Sequence, residues 1–292
     1  MLYLFLVSLL WAFSFGLIKG ELTGLPSSSV AFVRLLIAFA VFVPFLRFRN
    51  LRPGEAAKLL LIGAVQYGLM YVSYINAFQY LKAYEVALFT VFTPIYVTLI
   101  NDLFNRRLNK TALGAVVLAV AGGIVIKYQD LGSSELLRGF LLMQAANLCF
   151  AFGQIFYRRT MAALPNKPAD LQVFGLLYLG AALTAALATI GNDWSAFELT
   201  PKQAGSLLYL GAVASGLGFF LWNIGARRVS AGALAVFNNL KIPLGILVSI
   251  LCFGETADWP RLVAGGALMT AALFVNRLNP LPADRQESPT TD

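Results

Sequence analysis

Lys241 is the residue whose chemistry stands out first. It lies about halfway along an apolar run at 231–252. Placing a lysine in hydrocarbon costs at least about 2.5 kcal/mol, so such a residue is read first as functional. The alternative is structural, with Lys241 paired to a carbonyl or held neutral. Asn238, Lys241, Gly245 and Ser249 follow helical spacing and share one face. A buried ammonium there would attract a carboxylate.

Two prolines stand inside apolar runs. Each removes the donor for the carbonyl four residues earlier. Pro94 is therefore expected to free the carbonyl of Thr90, and Pro243 that of Asn239. In lipid a freed carbonyl needs a partner or a water-filled cavity. Cavity lining is the expectation; the plainer alternative is a kink satisfied by a neighbouring side chain.

Tyr67, Tyr71, Tyr74 and Phe78 recur at helical spacing. Buried tyrosine hydroxyls need partners, and a wet cavity supplies them. With Trp11, Phe15 and Trp222 they would form an aromatic pocket. Ordinary packing competes with that reading, and is the better account of Phe15 and Phe78. Gln144, Asn147, Ala151, Gln154 and Arg158 make a polar stripe on one helix face. A cavity wall and helix–helix contact through amides explain it equally well. Arg34 lies about one turn inside its run and reads as structural, snorkelling outward. Glu85, Asp102 and Glu255 sit near run ends, where solvation is expected.

Several chemistries are excluded. The chain has no histidine, which removes the commonest metal ligand and general base. Cys149 and Cys252 lie in apolar runs without metal or disulfide spacing. No phosphate-cradling glycine loop occurs, and no paired carboxylates or nucleophile–base pair stands at depth. No enzyme activity, cofactor or metal is expected. The net charge of +8 comes from residues scattered in short loops, so nucleic acid is not a partner. The sequence points to no obligate protein partner.

The elements that position these residues follow from composition. The 292 residues are 59% hydrophobic and 12% charged, with a mean hydropathy of +0.73. Soluble chains carry about twice that charge, and so much apolar surface needs lipid as its solvent. At about 20 residues per span, ten transmembrane helices are expected. They fall at about 2–19, 30–46, 57–80, 83–103, 111–127, 136–157, 170–190, 203–226, 231–252 and 261–277. The first run lacks a basic flank and a small-residue cleavage site, so it reads as a retained helix. Of 22 Lys and Arg, fourteen fall in one set of alternate loops and six in the other. The positive set faces the cytoplasm, which puts both termini inside. The polar stretch 279–292 reads as a disordered cytoplasmic tail.

An internal repeat is visible. Ser73–Phe104 aligns with Trp222–Phe253 at an offset of 149, pairing Pro94 with Pro243. Just upstream, Gly63-Ala64-Val65 matches Gly211-Ala212-Val213. The chain divides into a first five-helix repeat at 1–130 and a second at 131–278. An odd helix number per half inverts the second half, as in many secondary transporters. Ala115, Ala119 and Gly123, with Ala267 and Ala271, read as small-residue contacts holding the halves together.

The pattern resembles the drug/metabolite transporter superfamily, specifically its ten-helix EamA-type members. The matching stretches are Phe32-Val33-Arg34-Leu35, Leu221-Trp222-Asn223-Ile224-Gly225-Ala226-Arg227-Arg228, Pro243, and Phe253-Gly254-Glu255 followed by Gly265-Gly266. One departure is that Asn105-Arg106 stands where the second half has Gly254-Glu255. Among family members the chain is most similar to bacterial amino-acid exporters, including those for aromatic amino acids. The resemblance implies a multi-pass protein of the bacterial inner membrane. It implies alternating access around a central cavity, for an amino acid or related metabolite. Export of multiple drugs or cations is the alternative, and a channel a weaker one. On this reading a substrate carboxylate meets Lys241, its ammonium the carbonyls of Thr90 and Asn239, and its side chain the tyrosines. With no central carboxylate to carry a proton, facilitated diffusion is expected.

Overall fold

The computed structural model describes residues 2–47, 51–104, 110–126, 134–166, 168–227 and 231–277, and every regular element among them is helical. The first half comprises α1 (Leu2–Leu22), α2 (Ser27–Phe45), α3 (Pro53–Ala77), α4 (Ala83–Phe104) and α5 (Lys110–Ile126). The second comprises α6 (Ser134–Ala163), α7 (Asp170–Leu187), α8 (Pro201–Ala226), α9 (Ala231–Phe253) and α10 (Trp259–Arg277). By length and composition seven of these can cross a membrane: α1 to α4 and α6 to α8. Helices α5 and α9 contain the shorter apolar stretches Gly114–Val125 and Leu240–Phe253. The stretch 279–292 lies outside the described residues.

The helix ends follow local chemistry. Pro53 and Pro201 occupy first-turn positions, where a missing N–H costs nothing. Thr200 and Gln203 cap α8 reciprocally, each side chain accepting from the other's backbone N–H. Gly254, at φ +65°, terminates α9 in a conformation other residues avoid.

Helix α1 ends in a wide π-type turn, Ile18–Leu22, and two helices carry such turns in their interior, Ala64–Leu69 in α3 and Tyr209–Leu217 in α8. The turns in α3 and α8 are the stretches that the glycine alignment matches between the halves. Wide turns of this kind recur at functional sites because they re-aim side chains.

The packing partners pair off in the same way. Helix α1 packs on α9 and α8; α6 packs on α4 and α3. Helix α2 lies against α7 and α8, while α7 lies against α2 and α3. Helix α5 pairs with α10. Glycines set the closest approaches. A Cβ at Gly63 would strike the backbone of Leu177, and one at Gly180 the backbone of Leu60, so α3 and α7 touch main chain to main chain. Gly211 gives α8 the same intimacy with α2, against Ile37 and the carbonyl of Arg34. Ala115 and Ala119 are buried as expected, and Gly122 meets the carbonyl of Gly265. Ala267 and Ala271 are exposed, however, and it is Gly265, Met269 and Ala272 that α10 buries. Small-residue spacing alone did not reveal which side of α10 faces α5.

Large apolar side chains such as Leu61, Val117, Leu187, Leu251 and Val263 stand on the outside. Water would reject so many of them; hydrocarbon does not.

Candidate functional site

A cavity of about 70 Å³ opens among α1, α2, α3, α4, α6, α8 and α9. At 10–15 Å³ per water centre it has room for about five waters. Its walls include Trp11, Arg34, Tyr71, Tyr74, Thr90, Asn147, Phe150, Phe219 and Lys241. Both halves contribute, and none of the described lining residues is acidic.

Lys241 is 5% exposed. Its Nζ lies 5.1 Å from the centre of the Trp11 ring and 5.7 Å from that of Phe150. Aromatic faces stabilise a cation away from water by about 2 kcal/mol without neutralising it. Trp11 is itself fixed, donating from Nε1 to the carbonyl of Ala214 at 2.9 Å.

Arg34 is the second cation, and it does not snorkel outward as its sequence position suggests. Helix α2 starts at Ser27, so Arg34 lies seven residues, about 10 Å, inside. It is 2% exposed, and its guanidinium sits 4.5 Å over the Tyr71 ring. Its Nε donates to Ser215 Oγ at 2.6 Å, and Ser215 Oγ also pairs with Tyr71 Oη at 2.8 Å. Tyr178 donates to the Ser215 carbonyl at 2.6 Å. Ser215 stands in the wide turn of α8, and Tyr71 comes just after that of α3. Nothing in the sequence told which way Arg34 would point.

Pro94 breaks α4 into Ala83–Phe89 and Phe92–Phe104, but the freed carbonyl is not the expected one. The Thr90 carbonyl accepts from Thr93 N at 3.0 Å, three residues on. That shift releases the carbonyl of Phe89, which accepts from Asn147 Nδ2 at 2.8 Å. Asn147 Oδ1 in turn accepts from the Thr93 hydroxyl at 3.1 Å. The break is satisfied by a side chain on α6, so the Thr90 carbonyl expected to hold an ammonium is already engaged. Pro243 lies inside α9, which runs unbroken. The side chains of Asn238 and Asn239 lie outside the described residues.

The remaining expectations divide. Trp11, Tyr71, Tyr74, Thr90, Asn147 and Lys241 meet at the cavity, as does Phe15, for which packing alone was the expectation. Tyr67 sits behind the wall, stacked on Tyr178 at 5.2 Å and accepting from Asn223 Nδ2 at 2.9 Å. Trp222 is fully buried against Trp11, ring centres 4.9 Å apart. Gln144 accepts from Tyr96 at 3.0 Å and joins α6 to α4. Glu85 and Asp102 are buried rather than solvated. Glu255 caps α4, its carboxylate accepting from the backbone of Ala83 at 2.7 Å and Tyr84 at 3.0 Å. Lys82 Nζ on the carbonyl of Thr256, and Lys19 Nζ on that of Phe78, tie the same end.

Comparison with known proteins bears on the same architecture. The EamA-like transporter family matches residues 1–128 and 137–277. A probable biotin transporter of Pseudomonas aeruginosa is 44% identical over 95% of this chain and 98% of its own. The biotin transporter of Escherichia coli is 38% identical over 95% of this chain and 93% of its own. A probable amino-acid metabolite efflux pump of Salmonella typhimurium is 27% identical over 93% and 92%. A solved crystal structure at 19% identity covers 95% of this chain and 96% of its own with a TM-score of 0.67, which shows a shared fold. With the family matched along nearly its whole length, this multi-pass membrane chain belongs to the EamA-like transporter family.

Proposed function

We propose that the chain is a secondary transporter for a small organic carboxylate of the biotin type. The carrying observation is the cavity itself: two buried cations, Arg34 and Lys241, face aromatic walls, and no described acid lines it. Arg34 Nη1 is buried with no hydrogen-bond partner among the described residues, and a buried charged donor in that position favours an anionic acceptor. Biotin offers one carboxylate and a largely apolar body, which suits cations at one place and rings at another. The names of the 38–44% identical relatives support this substrate. Export of a cationic drug fits badly, since such a carrier needs an acid at the site.

Amino-acid export is the second reading, favoured by the efflux-pump relative. It is weakened at Thr90, whose carbonyl already accepts from Thr93 and leaves a substrate ammonium poorly served.

All ten helices cross the bilayer in this reading, as two inverted five-helix halves at 1–130 and 131–278. The matched wide turns and the exchangeable packing pairs support that symmetry. The loop charge bias supports cytoplasmic termini in a bacterial inner membrane. Reporter fusions at residue 292 and in the 191–201 loop are expected to read cytoplasmic and external, and the reverse pair would overturn the topology. With no described acid at the cavity, transport is facilitated or weakly coupled. A pH gradient imposed on proteoliposomes with equal substrate on both sides is expected to drive little accumulation.

The substrate test is uptake of radiolabelled biotin, aromatic amino acids and a lipophilic cation into proteoliposomes. Saturable biotin uptake is expected, with the cation excluded. Saturable uptake of the cation alone would overturn the reading.

A further inference from the structure

Resting on the carboxylate reading above, we propose that Arg34 is the anchor that recognises the substrate carboxylate, and that Ser215 and Tyr71 hold it in the required orientation. Arg34 Nη1 is buried and has no hydrogen-bond partner among the described residues, although the residue lines the cavity. An ionised group left in that condition is costly in a low-dielectric interior, and a ligand anion removes the cost. The guanidinium is held at two other points. Nε is held by Ser215 at 2.6 Å, and Cζ lies over the Tyr71 ring at 4.5 Å. What remains is a pre-oriented planar donor, suited to a carboxylate as a lysine point charge is not.

The placement also joins recognition to three helices. Arg34 stands on α2, Tyr71 on α3 and Ser215 on α8. A carboxylate bound at Nη1 therefore bears on three helices, two of them carrying the wide turns. Lys241, on the α9 side, supplies attraction to any anion; Arg34 reads its shape.

The test compares binding of biotin and biotinamide to purified wild type, Arg34→Met, Arg34→Lys and Ser215→Ala. Thermal melting and gel filtration establish folding for each. Wild type is expected to prefer biotin. Arg34→Met is expected to weaken biotin about ten- to hundredfold, the range of one charge-assisted hydrogen bond, and to change biotinamide by less than about threefold. Arg34→Lys restores only part of the loss. Ser215→Ala, which keeps the charge but loosens it, weakens biotin severalfold and spares biotinamide.

If a folded Arg34→Met binds biotin like wild type, or loses both compounds equally, Arg34 is structural and the inference fails while the carboxylate reading stands. If Arg34→Met does not fold, Arg34→Lys decides: full biotin affinity there overturns the inference. If wild type binds neither biotin nor any other carboxylate of the uptake panel, the carboxylate reading fails first and takes the inference with it.

Discussion

Helices α4 and α9 carry their prolines at matched places, yet α4 breaks and α9 does not. A proline in mid-helix deletes one hydrogen bond, and its neighbours determine whether the helix then breaks. In α4, Thr90 Oγ1 donates back to the Ala87 carbonyl at 2.7 Å, and Thr90 N and Val91 N donate to carbonyls three residues back. These tighten the chain above Pro94, and Asn147 completes the change by donating to Phe89. Near the matched place in α9, a described contact comes from Ser8 of α1. Its hydroxyl donates to Leu4 at 2.8 Å and reaches the Phe237 carbonyl at 3.3 Å. That contact falls one residue short of Asn238, the position that matches Phe89 at the offset of 149. The lesson is that a proline permits a break without dictating it, and that in α4 a side chain of the facing helix completes it.

The largest effect is expected at Asn147. Asn147→Leu leaves the Phe89 carbonyl without its donor in an interior that offers none, costing about 1–3 kcal/mol of stability. It is expected to lower the melting temperature and abolish uptake. A thermal scan that matches wild type would break the comparison.

Next comes Pro94→Ala. The new N–H gives the Thr90 carbonyl its ordinary donor, so α4 is expected to straighten and move Thr90 and Thr93 at the cavity wall. Substrate affinity falls about tenfold, one hydrogen bond's worth. Pro243→Ala, in a helix already continuous, is expected to change affinity by less than about twofold and raise stability slightly. Equal effects of the two substitutions would show that the difference between α4 and α9 has no functional weight. The smallest effect belongs to Ser8→Ala, less than about 1 kcal/mol by melting, since its main bond is a local one within α1.

The same contrast explains what the sequence could reveal. Apolar runs mark helix positions because lipid tolerates little else, and the runs at 57–80 and 203–226 fall on α3 and α8 within a few residues. The register of Pro94 with Pro243 is a sequence property and was legible. The break is not, because it is completed between α4 and α6 by hydrogen bonds of Asn147 with groups 54 and 58 residues away. Lys241 was legible because no apolar run carries a central lysine casually. Arg34 was not, because its role depends on Ser215, 181 residues away, inside a wide turn that periodicity does not announce.

The central claim is that a doubly cationic, aromatic cavity selects a carboxylate. Counterflow in proteoliposomes tests it most directly, using vesicles preloaded with unlabelled biotin and tracer biotin outside, with wild type and Lys241→Met compared. Methionine matches the length of lysine and removes both the charge and its insertion penalty, so folding is preserved. Saturable exchange is expected in wild type, with about ten- to hundredfold weaker apparent affinity in Lys241→Met and little change for biotinamide. Exchange of biotin and biotinamide at equal rates by both proteins would contradict the account.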